Sequence, residues 1–145
     1  MKTAPKLILL DRDGTLNERG ETGYILTPDE LVLRPGAREA CQLIKAAGIP
    51  MALVTKQRCI EKGFVTREQV GIINGQLAAL LGVDFSAALV ESDTPTKARL
   101  FEAFARTDGV VLFDDSVMER AVAGAMGIRA YDGSNLLAAV KEVLP

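Results

Sequence analysis

Short apolar runs alternate along the chain with longer segments in which apolar positions recur every three to four residues. The runs at 6–10 (KLILL), 51–55 (MALVT), 87–91 (AALVE), 110–113 (VVLF) and 128–131 (IRAY) predict strands. Helical spacing predicts helices over 36–47, 66–81, 95–106, 117–125 and 134–143. Local chemistry marks several ends. Pro35-Gly36 opens the first helix and Gly48-Ile49-Pro50 closes it. Thr66 followed by Gln69 fits a capping box. Thr94 fits an N-cap with Pro95 as the first helical residue.

Strand-helix alternation predicts a three-layer α/β/α, Rossmann-like fold around a central parallel sheet. At 145 residues the chain is read as one domain, 1–145. No repeat, low-complexity tract or linker interrupts it. The segment from Asn17 to Leu33 is long for this architecture, and such loops commonly serve a site.

Composition narrows the function classes. Seventeen basic residues against nineteen acidic ones argue against a general nucleic-acid or membrane-surface binder. No apolar run is long enough to span a bilayer and no signal-peptide pattern appears, so the expectation is a soluble, cytoplasmic protein. Cys41 and Cys59 make no disulfide framework. There is no histidine, so histidine triads are excluded and the common zinc sites are disfavoured.

Ligands of open parallel sheets bind beyond the carboxyl ends of the strands. The polar residues expected there are Asp11 and Asp13, then Thr55, Lys56, Gln57 and Arg58, then Asp114 and Asp115, with Lys97 after the third strand. Each has an ordinary reading. Asp13-Gly14 is a turn signal, Asp114 to Ser116 fit a helix cap, and Lys56 and Arg58 fit a solvated face. Lys97 in a first helical turn is disfavoured by the helix dipole, yet a lysine beside a helix N-terminus also makes an anion site. Taken together, four carboxylates at one sheet edge repel unless a cation neutralises them. Oxygen-only donors favour Mg²⁺. A basic loop beside an acidic pocket suits a metal-bound phosphate. Cys41 reads as core, and Cys59 lies in the basic loop with no base to activate it.

These motifs carry a resemblance. The segment "DRDGT" resembles the first motif of the haloacid dehalogenase superfamily of Mg²⁺-dependent phosphohydrolases. "VTKQRCIEKGFVTREQV" is similar to the T-N-Q-S-G-I-x-x-G-x-x-T stretch of histidinol-phosphate and heptose bisphosphate phosphatases, and "GYILTPDELVLRPGA" resembles their connecting loop. "LFDDS" resembles the last acidic motif, and Lys97 fits the lone lysine of the third. The resemblance implies that Asp11 is the nucleophile of an aspartyl-phosphate mechanism and Asp13 the general acid and base. It implies Mg²⁺ held by Asp11, Asp13 through its backbone carbonyl, and either Asp114 or Asp115. Thr55 and Lys97 would hold the phosphoryl oxygens, with Lys56 and Arg58 beside them.

Four departures stand out. Lys56 replaces Asn, Cys59 replaces Gly, and residues 91–96 read ESDTPT in place of a cysteine-rich zinc loop. Asp114 falls where Gly is usual if the following helix is aligned on Gly127, which makes Asp115 the metal ligand; alignment on the strand makes it Asp114. Lys56 is expected to reach past the transferred phosphoryl group to a second anion. Neither insertion point carries enough residues for a separate cap domain, so the site is expected to be open, closed by its own loops or by a second copy in a homo-oligomer.

The leading expectation is a phosphatase for a small phosphorylated metabolite such as a sugar phosphate. A phosphatase for nucleic-acid terminal phosphates is the second reading, with charge balance and few aromatics against it. A response-regulator receiver also combines acids, Mg²⁺, Thr and Lys, but D-x-D-G-T is not its pattern. A degenerate binding module is the last.

Overall fold

The computed structural model describes residues 3–145. Five parallel strands form one sheet in the order β3-β2-β1-β4-β5. They are β1 (Leu7–Leu10), β2 (Met51–Lys56), β3 (Ala87–Glu91), β4 (Val110–Asp114) and β5 (Arg129–Asp132). The helices are α1 (Ala37–Ala46), α2 (Arg58–Glu61), α3 (Arg67–Leu81), α4 (Ala98–Phe101), α5 (Val117–Ala125) and α6 (Leu136–Val143). Among the described residues no helix is long and apolar enough to cross a membrane.

Successive strand side chains point to opposite faces, and the core divides accordingly. Ile8, Leu10, Leu53, Val111 and Phe113 pack with residues of α1, α3 and α6 on one face. Leu9, Ala52, Val54 and Leu112 pack with Phe101 of α4 and Ala123 of α5 on the other. Being covered on both sides explains why the strands read as continuous apolar runs. Cys41, in the first of these layers, is fully buried, and burial pushes its thiol up to about 12.

The capping box forms: the Gln69 amide donates to Thr66 Oγ1 at 3.1 Å, and the Thr66 amide donates to Gln69 Oε1 at 2.9 Å. Ser116 caps α5 by accepting the Glu119 amide at 3.2 Å, which leaves the carboxylates of Asp114 and Asp115 for other partners.

The helix expected over 95–106 is the main correction. Residues 92–97 form an irregular loop, Lys97 rather than Thr94 occupies the N-cap position, and α4 gives way to a 3-10 turn at Glu102–Phe104. Thr94 Oγ1 donates to the Thr96 carbonyl at 2.9 Å rather than capping a helix. The sequence also gave no warning of α2, a single turn after β2.

The chain runs outward from β1 to β2 and β3, then returns to the other side of β1 as β4. The reversal puts a topological switch point between the ends of β1 and β4, where open α/β sheets bind ligands. Asp11 and Asp13 follow one strand there; Asp114 ends the other and Asp115 follows it.

Candidate active site

Asp11 prolongs the β1–β4 ladder by donating its amide to the Phe113 carbonyl at 3.0 Å. The chain then turns tightly, with the amides of Thr15, Leu16 and Asn17 all directed at the Arg12 carbonyl. Gly14 sits in this turn at a φ of +90°, and a Cβ there would meet Asp115 Oδ2 at 2.3 Å. A side chain at position 14 would therefore separate the two acidic segments.

A pocket of about 140 Å³ opens at this edge, lined by Asp11, Asp13, Thr55, Lys56, Lys97, Asp114 and Asp115, and also by Arg19, Ser116 and Glu119. All of the polar residues expected at this edge except Gln57 and Arg58 thus line one pocket. Arg58 does not line the pocket; it lies on α2, the turn that the sequence did not reveal.

Lys97 is the electrostatic centre. Only 2% exposed, it donates from Nζ to Asp11 Oδ1 at 2.6 Å and Asp114 Oδ2 at 2.7 Å. Burial opposes its charge, but the two carboxylates prevail and hold the ammonium above its ordinary range. Burial pushes the Asp11 carboxyl well above the usual carboxylate range; Lys97 works against this and Asp114 adds to it. Thr15 Oγ1 donates to the other Asp11 oxygen at 3.0 Å. Asp115 goes the other way: burial opposes the change, but the neighbouring Asp11 carboxyl and the Arg19 guanidinium hold its carboxyl below the usual range.

The carboxylate oxygens of Asp11, Asp114 and Asp115 approach within 4.8 Å of one another, an arrangement that can hold a metal ion. The fit is supported by Asp115 Oδ1, a buried oxygen without a hydrogen-bond partner among the described residues. An all-carboxylate donor set suits a hard divalent cation. The Asp13 carboxylate lies outside this group. Its oxygens accept from Arg12 Nε at 3.1 Å, Asn17 Nδ2 at 2.9 Å and Gln57 Nε2 at 2.8 Å.

Arg12, Asn74 and Arg19 escape the sequence reading, whereas Gln57 is among the polar residues expected at this edge. Gln57 Nε2 also donates to Thr55 Oγ1 at 2.8 Å, so one amide ties the ends of β1 and β2 together. The Cys59 thiol donates to Gln57 Oε1 at 3.5 Å, which fixes the amide's orientation and gives that cysteine a partner. Arg12 is fully buried between Asp13 and Asn74 of α3, whose Oδ1 accepts at 3.0 Å. Arg19, from the long loop, donates to Asp115 Oδ2 at 2.8 Å. Arg12 stands inside the D-R-D-G-T stretch, while Arg19 carries no local signal. The Lys56 ammonium, expected to reach a substrate anion, donates to the Pro95 carbonyl at 2.7 Å and lies 3.8 Å from Glu119 Oε2.

With this geometry in view, the likeness to known proteins can be placed. No family model matches the chain. It is 39% identical over 74 residues to the D-glycero-β-D-manno-heptose-1,7-bisphosphate 7-phosphatase of Mesorhizobium japonicum, a match covering 51% of this chain and 33% of that protein. The match thus spans about a third of the relative's length. The structure of a D,D-heptose 1,7-bisphosphate phosphatase from B. bronchiseptica, complexed with magnesium and phosphate, superposes with a TM-score of 0.78 at 22% identity, covering 97% of this chain and 88% of that one. At that identity the likeness is one of fold, a parallel sheet covered by helices on both faces. A D,D-heptose 1,7-bisphosphate phosphatase from Burkholderia thailandensis gives a TM-score of 0.65 at 26% identity, covering 97% and 87% of the two chains. The chain resembles these heptose bisphosphate phosphatases in sequence over about half its length and in fold over nearly all of it.

Proposed function

We propose that the chain is a Mg²⁺-dependent phosphatase that hydrolyses a phosphomonoester of a small metabolite, a sugar phosphate or a heptose-bisphosphate-like molecule, through an aspartyl-phosphate on Asp11. One observation carries this: Asp11, Asp13, Thr55 and Lys97, from three separate segments, line one pocket beside a three-carboxylate cluster.

Asp11 and Asp115 would hold the cation with Asp114 beside them, Asp115 being favoured because its Oδ1 has no other partner among the described residues while Asp114 is engaged by Lys97 and the Ser116 amide. When bound, Mg²⁺ offsets the repulsion between the acidic pocket and a phosphate dianion. An Asp11 oxygen attacks phosphorus, forming the acyl phosphate as the bond to the ester oxygen breaks. Asp13 gives a proton to that leaving oxygen, then takes one from the water that releases phosphate and restores Asp11. Lys97 and Thr55 donate to the phosphoryl oxygens as charge shifts onto them. Asp13 must leave part of its donor cage of Arg12, Asn17 and Gln57 to meet the leaving group.

The test is phosphate release, with Mg²⁺, from a panel of aryl phosphates, hexose phosphates and heptose 1,7-bisphosphate. Release from a sugar phosphate supports the reading; a panel without any turnover contradicts it. Chelation should stop turnover without unfolding the chain, unlike the collapse of a domain held by structural zinc. Stoichiometric zinc in active protein, found by elemental analysis, would contradict this.

Lys56→Asn is expected to lower kcat/KM about equally for simple and doubly anionic substrates, because the ammonium serves Pro95 and Glu119. The contact lies within the chain, so its loss loosens the loop that carries Lys97 and lowers kcat/KM by roughly tenfold for both substrates alike. A loss confined to substrates with a second anion would return Lys56 to substrate recognition.

A further inference from the structure

Lys97 reaches the pocket from a loop that has no helix or ladder of its own. The six residues from Ser92 to Lys97 leave β3 and cross toward α4 without regular hydrogen bonding. Their side chains offer Ser, Asp and Thr, none apolar except Pro95, so hydrophobic packing does little to order them. Something must hold this loop if Lys97 is to meet Asp11 and Asp114 at hydrogen-bond distance.

The structure supplies a set of charged contacts. Glu91, 4% exposed at the end of β3, accepts the amides of Ser92 at 3.0 Å and Asp93 at 3.4 Å. Arg99 of α4 closes on the same carboxylate, Nε to Oε1 at 3.0 Å and a terminal nitrogen to Oε2 at 3.0 Å, and also pairs with Asp93. Arg67 of α3 holds Ser92 Oγ at 2.8 Å. At the far end, Glu119 accepts the Lys97 amide with both oxygens, at 3.0 and 3.2 Å, and Lys56 binds the Pro95 carbonyl. Burial works against ionisation of Glu91, yet the surrounding donors, Arg99 and the Asp93 amide among them, hold its carboxyl down at about 2.

We propose that Glu91 and Arg99 form a clasp that joins the two ends of the β3–α4 loop and so positions Lys97 in the phosphoryl site. Both are positioning residues; neither lines the pocket. An exposed arginine pair alone contributes little. Here one partner is buried, so loss of the arginine leaves the Glu91 carboxylate with two backbone amides but no charge partner. Local opening of the loop then relieves it, and Lys97 is drawn out with the loop.

The inference rests on the reading of Lys97 as a phosphoryl ligand, but its test needs no turnover. Native protein is treated with an amine-acylating reagent and a thiol reagent, and labelling is followed peptide by peptide by mass spectrometry. Lys97 is shielded in the parent chain, and buried Cys41 reports global unfolding. In Glu91→Gln and Arg99→Met, Lys97 labelling should rise roughly tenfold, as for a locally opened segment, with Cys41 still unreactive. Arg99→Lys, which keeps the charge but loses the two-pronged contact, should fall between. Should Glu91→Gln fail to fold, Arg99→Met, altered at a half-exposed side chain, carries the test. Unchanged Lys97 protection in a folded Arg99→Met, or Lys97 and Cys41 becoming reactive together, overturns the clasp. If Lys97 opens as expected but the parent releases no phosphate from any substrate, the clasp stands and the phosphatase reading fails.

Discussion

Asp11→Asn is expected to abolish phosphate release and leave the chain folded. Asparagine keeps the shape but lacks a nucleophilic oxygen able to form a stable acyl phosphate, so the covalent route is lost outright. Enzymatic accelerations of phosphomonoester hydrolysis reach ~10²¹, so even a small residue of catalysis would be measurable. Retention of more than a few per cent of turnover would contradict attack by this residue. Stability makes an independent check. Burial raises the Asp11 carboxyl in the folded state above its unfolded value, so the native chain binds the proton more tightly and loses stability as pH rises beyond the unfolded value. Asparagine removes that loss. The melting temperature of Asp11→Asn should therefore equal or exceed the parent's, with the advantage growing from pH 4 toward neutrality. A variant that melts progressively lower than the parent as pH rises would show that the ion pair with Lys97 outweighs the burial of the charge.

Lys97→Met should cost both activity and stability. The lysine is buried and bridges two carboxylates, and removing one side of such a network leaves the other uncompensated. Breaking a buried pair in this way costs about 3–5 kcal/mol, a large part of a stability of ~5–15 kcal/mol. Since Lys97 lowers the Asp11 carboxyl by its charge, its loss favours protonated Asp11, and the penalty should shrink at acid pH. Urea denaturation at several pH values measures this, with an unchanged slope and a lower midpoint expected. An unaltered midpoint near neutrality would mean that Lys97 is not the neutralising charge.

Much of this was legible before any coordinates. The five strands and four of the helices follow from apolar runs and helical spacing, because a parallel sheet buried on both faces leaves little ambiguity. The aspartates, Thr55 and Lys97 were readable because they stand at strand ends and near a helix start, where topology alone brings them together. The failures share a cause. Thr94-Pro95 carries a helix-start signal, but contacts from Glu91, Arg99, Arg67 and Lys56 hold that segment as a loop, and tertiary contacts override a weak local preference. Arg58 was assigned to the pocket from its neighbourhood in sequence, and the single turn of α2 carries it aside. Arg19 reaches Asp115 across the sheet edge, a pairing far too distant in sequence for any local pattern to reveal. Lys56 stands at the pocket, but the Pro95 carbonyl that occupies its ammonium belongs to the 92–97 loop, part of which the sequence predicts as helix.

The most direct test of Asp11 as a covalent nucleophile is chemical trapping during turnover. Protein turning over an aryl or sugar phosphate with Mg²⁺ is quenched in acid and reduced with borohydride, which converts an acyl phosphate of aspartate to homoserine. Peptide mass spectrometry then locates the change. Homoserine at position 11, dependent on substrate and missing from Asp11→Asn, is the expected result. Phosphate release without homoserine at position 11, or with homoserine at position 13, 114 or 115 instead, would contradict it.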